Sequence, residues 1–237
     1  MRGVIFTNKE LDLEGLDIKE VYVIFAKGAK SSITVSEKGE MLNLALSKMP
    51  IIKRAEELIE KLEKNYDVVG MSVVFEDYEK EIDRVLEAQK PDLVIAGRYM
   101  PITDRLLESK SAILFYRGKI LFDRLLYVHT DGAKTESIKE WLKKGKEILI
   151  VGIVKPMLPP ETYAKRMREA EERIRKEVEE LSKELNANKV VLIGSISEEV
   201  KRIAKEFDAD IIILSKSVGK GVIEAVLENT EVSVLVV

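Results

Sequence analysis

The chain has no cysteine, a single histidine, a single tryptophan and a single glutamine. Without cysteine there is no disulfide framework, no thiol nucleophile and no thiolate metal site. With His129 as the only imidazole, a histidine metal cluster is excluded, and a Ser-His-Asp triad would have to use that one ring. No apolar run approaches the roughly 20 residues that a membrane-spanning helix needs. Charge of one sign is also scarce: the net charge of −3 lends no bulk support to non-specific nucleic-acid binding. The stretch Met1–Lys9 turns polar too early for a signal peptide. Scarce glutamine with abundant Lys, Glu, Ile and Val matches thermophile usage. The expectation is a cytoplasmic protein of a hot environment that neither enters a membrane nor binds nucleic acid or metal.

What is present is a repeat. An apolar strand from residue 68, a polar helix Tyr78–Gln89, Pro91-Asp92-Leu93-Val94-Ile95-Ala96-Gly97, a short helix and Ala112–Tyr116 follow one another. The same order recurs as Val190–Ile193, Ser197–Phe207, Asp208-Ala209-Asp210-Ile211-Ile212-Ile213-Leu214, a short helix and Val232–Val237. Asp92 and Asp210 stand half the chain apart, and so long a period means two domain copies, not a solenoid. The predicted domains are 1–117 and 118–237, each large enough for its own core.

In the second copy, Leu125–Val128 runs as a strand into Thr130-Asp131-Gly132, and Ile148–Val154 is an uninterrupted apolar strand of the kind covered on both faces. Pro159 and Pro160 open a helix to about Leu185. Its apolar stripe is Ala164, Met167, Ala170, Ile174, Val178, Leu181 and Leu185, and its opposite face carries the i,i+4 pairs Glu169–Arg173 and Glu172–Lys176. Alternating strands and helices imply parallel sheets with right-handed crossovers. The first copy departs early: 8–19 is too short and acidic for a full first helix, 28–48 reads as irregular, and a helix runs from about Ile51 to Lys64.

Other chemical candidates yield to plainer readings. Gly28-Ala29-Lys30-Ser31-Ser32 matches a phosphate-binding loop only in part, because Gly and Lys are not adjacent and no glycine stands five positions earlier. His129, next to Asp131 at the edge of a strand, reads as a residue with a structural or solvent role. Glu76-Asp77 and Glu198-Glu199 open helices, where acidic side chains favour the positive end of the dipole. No motif forms a catalytic constellation.

The run Gly194-Ser195-Ile196-Ser197-Glu198-Glu199-Val200, then Ile203-Ala204 and Asp208–Leu214, resembles the universal stress protein domain. So do a first strand ending in Asp131-Gly132 and the closing Val232–Val237. The resemblance covers nearly the whole second copy and about Ile51–Arg117 of the first. It implies two tandem flavodoxin-like (adenine-nucleotide-alpha-hydrolase-like) domains with parallel five-stranded sheets of order 3-2-1-4-5. It further implies that the fifth strands pair across a pseudo-two-fold, which would protect two apolar edges.

Members of that family that bind ATP carry G-x-x-G, nine residues, then G-S or G-T after the fourth strand. Here 17 residues, Ser215–Glu231, separate the fourth strand from the fifth and must also supply a helix. Ser215-Lys216-Ser217-Val218-Gly219-Lys220-Gly221 lacks the first paired glycines, and in the first copy Met100 stands where the second glycine after Gly97 belongs. The expected function is a non-catalytic stress-response or regulatory module acting through protein–protein contact, with no cofactor. Its partner is an unnamed protein, with a homodimer as a further assembly. The alternative is an ATP- or AMP-binding switch, or an anion-binding one, with at most slow ATP hydrolysis. Its site would comprise Asp131 and Gly132, matched to the family's acidic position, with Ser215, Lys216, Ser217, Gly219 and Lys220 at the carboxyl edge of the sheet.

Overall fold

The structure, a computed structural model, describes all residues except 10, 27–39, 76, 98–99, 101, 119, 134 and 157–159, and side chains apart also from 40–48 and 160–163. The chain divides into two compact units: Met1–Asp12 with Leu16–Tyr116, and Leu13–Gly15 with Arg117–Val237.

The first unit contains β1 (Arg2–Thr7), β2 (Glu20–Ala26), α1 (Glu40–Leu62), β3 (Asp67–Val74), α2 (Tyr78–Gln89), β4 (Leu93–Ala96), α3 (Asp104–Glu108) and β5 (Ala112–Phe115). Its strands are parallel in the order β3-β2-β1-β4-β5. The second unit contains β6 (Arg124–His129), α4 (Glu136–Leu142), β7 (Glu147–Val154), α5 (Pro160–Leu185), β8 (Asn188–Ile193), α6 (Ile196–Phe207), β9 (Ile211–Leu214), a 3-10 turn (Lys216–Val218), α7 (Lys220–Asn229) and β10 (Ser233–Val236). Its strands are parallel in the order β8-β7-β6-β9-β10. Each unit is therefore a flavodoxin-like α/β sheet of order 3-2-1-4-5.

The sheet centres are dry. Every residue of β4, β5, β9 and β10 is buried, as expected for parallel strands sandwiched between helices. The amino edge repeats in detail. Asp92 Oδ2 accepts the backbone N–H of Arg2 at 2.8 Å, and Asp210 Oδ2 accepts that of Arg124 at 2.8 Å. Arg2 Nε donates to Glu20 at 2.7 Å, and Arg124 Nε lies 3.3 Å from Glu147. Helices α2 and α6 both end on a left-handed non-glycine residue, Lys90 and Asp208, whose backbone N–H closes the last turn.

Several sequence expectations need correction. Helix α1 starts at Glu40 and passes through Pro50, so the helix begins within the stretch read as irregular. Proline removes one intrahelical bond and favours a kink, but here it does not end the helix. The segment 11–18 forms no helix, in keeping with the reading of 8–19 as too short and acidic for one, and buries Leu11, Leu13, Leu16 and Ile18 between exposed residues. Asp77 stands at the opening of α2, where the sequence places it, and its carboxylate lies 3.2 Å from Lys80. The stripe of α5 is buried only from Ala170 through Leu181, while Ala164 is exposed and Met167 half-buried. Length explains this: 26 residues at ~1.5 Å per residue give ~39 Å of helix, against roughly 26 Å for the eight-residue strand β7. The partial phosphate-loop motif at 28–32 and Glu76 lie outside the described residues.

At the amino end of the second unit, the Trp141 ring stacks on Phe122 with centroids 6.2 Å apart. The Lys144 ammonium sits 4.1 Å from the Trp141 ring centroid.

Candidate functional site

In an open parallel sheet, ligands lie beyond the carboxyl ends of the strands, where the strand order reverses. In the second unit that point falls between β6 and β9, which run side by side with Val128 opposite Leu214. The register therefore delivers His129, Thr130 and Asp131 to the same edge as Ser215, Lys216 and Ser217.

The β9 side is short. Five residues, Ser215–Gly219, separate β9 from α7, and three of them form the 3-10 turn. Ser215 is buried, and its Oγ accepts the backbone N–H of Ser217 at 3.2 Å and lies 2.8 Å from Ser217 Oγ. The serine thus caps the turn, the role that short hydroxyl side chains favour. Gly219 takes φ +88°, a left-handed conformation that lets the chain reverse into α7 at Lys220. The Lys216 backbone N–H donates to the Val237 carbonyl at 2.9 Å, and burial pushes its ammonium down to about 8.

The β6 side is committed to α5. Asp131 follows the strand in a turn with Gly132 at φ +78°. Arg173 Nη2 donates to Asp131 Oδ2 at 2.8 Å and Nε to Oδ1 at 3.3 Å, a two-pronged hold. That guanidinium holds the Asp131 carboxyl below its ordinary range despite the opposing effect of partial burial. The expected Glu169–Arg173 pair is thus replaced: Arg173 reaches across to Asp131, and Glu169 lies 3.9 Å from Lys165. Likewise Lys176 lies 4.0 Å from Glu180.

One turn further along α5, Glu177 Oε2 lies 2.7 Å from His129 Nε2, and the Tyr127 hydroxyl is 3.1 Å from His129 Nδ1. A carboxylate only accepts, so in the neutral ring Nε2 donates to Glu177 and Nδ1 accepts from Tyr127. The imidazole is buried, with 1% exposure, and both of its nitrogens are satisfied. Burial, seconded by the Glu177 charge, raises the Tyr127 phenol well above its ordinary range, so it remains a donor. Two α5 side chains spaced i,i+4, Arg173 and Glu177, thus meet Asp131, in the turn after β6, and His129, the last residue of β6.

Sequence reasoning named Asp131 and the loop but missed Arg173, Glu177 and Tyr127. A signal existed: Tyr127, His129 and Asp131 alternate, so a strand ending there presents all three to the same covering helix. Gly152, opposite His129 in the register, is a second signal. A Cβ there would come within 2.6 Å of Ile174 and 3.0 Å of Val178, so the glycine lets α5 approach the sheet. In the first unit, the Met100 N–H donates to the Gly97 carbonyl at 3.2 Å. Among the described residues, no group of three His, Cys, Asp or Glu side chains is arranged to hold a metal ion. None of the described helices is long and apolar enough to cross a membrane.

No model of a known family matches the chain. An uncharacterized protein of Archaeoglobus fulgidus is 35% identical over 237 residues, all of this chain and 94% of that one. Among solved structures, a universal stress protein from Archaeoglobus fulgidus superposes with a TM-score of 0.59 at 15% identity, covering 99% of this chain and 95% of the other. A putative universal stress protein from Pseudomonas aeruginosa gives 0.57 at 17% identity, covering 99% and 92%. The chain belongs to one family with the uncharacterized protein of Archaeoglobus fulgidus that is 35% identical to it, and its fold is that of the universal stress protein structures.

Proposed function

We propose that this chain is a non-catalytic stress-response or regulatory module that works through contact with another protein and does not bind ATP in the family's usual manner. The observation that carries the reading is the five-residue path from β9 to α7. Phosphate loops of the family's binding type need about three times that length before their helix, so the β- and γ-phosphates have no loop to enclose them. The occupation of Asp131 by Arg173 supports the reading, because the carboxylate already has its hydrogen-bond donors. The paired serines support it too: their hydroxyls serve the turn and each other.

A second reading rests on a separate observation, the register that sets Thr130 and Asp131 beside Ser215 and Lys216. It takes this edge as a nucleotide- or anion-binding switch that uses Asp131, Gly132, Ser215, Lys216, Ser217, Gly219 and Lys220. Calorimetric titration with ATP, ADP and AMP, with Asp131→Ala alongside, separates the two. The scaffold reading expects no heat of binding at millimolar nucleotide. Micromolar affinity that disappears in the variant would overturn it in favour of the switch.

A further inference from the structure

We draw no further inference here: the strongest candidate, the apolar surface patch that Val69 (45% exposed) and Met71 (36% exposed) form on edge strand β3 of the first unit, carries nothing, because a bulge at Val69 breaks the regular edge a second strand would need and nothing in the structure shows what covers it.

Discussion

The two units agree at one edge of their sheets and part company at the other. At the amino edge, Arg2, Glu20 and Asp92 repeat as Arg124, Glu147 and Asp210, with the same backbone N–H accepted at the same 2.8 Å. At the carboxyl edge, counting from those matched arginines, Ile5, Thr7 and Lys9 stand where the second unit has Tyr127, His129 and Asp131. The first unit's residues close on themselves: Thr7 Oγ1 donates to the Lys9 carbonyl at 2.6 Å. The second unit's reach outward to α5. An edge that only ties strand starts together tolerates one solution twice. The edge where ligands bind in this class of sheet has been rewritten, with the acid of one copy replaced by a base in the other.

The sharpest break in the comparison is expected at Gly152, whose matched position in the first unit is the buried Phe25. Gly152→Ala should force α5 off the sheet and destabilise the second unit by about 2–3 kcal/mol, the cost of overpacking a core. Urea unfolding followed by circular dichroism reads this, and an unchanged midpoint would mean α5 does not sit as close as described. Next comes Tyr127→Phe, which leaves a buried imidazole nitrogen without its donor and should cost about 1–3 kcal/mol. Hydrogen exchange in β6 should then rise while exchange in β1, with Ile5 at the matched position, stays put.

A third comparison removes the repeated feature itself. Asp92→Ala and Asp210→Ala should each cost about 1 kcal/mol, because each deletes one charge-assisted bond at an exposed edge. Unequal losses, read by amide exchange in β1 and β6, would show that the two amino edges are alike in geometry only. The smallest effect belongs to Asp131→Asn. The pair with Arg173 is about half exposed, so at neutral pH the loss should stay near 0.5 kcal/mol. Because the folded carboxyl titrates below its unfolded value, its stabilisation is present above the unfolded value and fades as pH falls through the folded one. Wild type and variant should therefore converge in acid, and a gap that persists there points to a cause other than charge.

The fold was largely legible because its informative parts are local. Apolar runs such as Ile211–Leu214, closed off by Asp-Ala-Asp before and serine after, announce buried parallel strands. The strand order entered through the resemblance, since periodicity alone leaves it open. What escaped was long-range or depended on a helix's rotation. The i,i+4 rule favours Glu169 as the partner of Arg173, yet the turn of α5 that buries Ile174 and Val178 also aims Arg173 and Glu177 at β6. The stripe through Ala164 and Met167 looked continuous because a sequence does not show where the sheet beneath a helix stops. The helix expected from about Ile51 starts instead at Glu40, and a proline such as Pro50 gives no local sign of whether a helix starts after it or passes through it. At the site, the adjacency of Asp131 and the Ser215 loop followed once the order was known, whereas the commitment of Asp131 to Arg173 needed coordinates.

The stacking of Trp141 on Phe122 has a practical consequence. The chain's only indole lies in the second unit, stacked on Phe122 with the Lys144 ammonium close to both rings at the amino end of β6. Long-wavelength excitation therefore lights up one copy and leaves the other dark. Its emission reports the melting of the second unit by itself, so the two near-repeats can be followed separately without attaching any label.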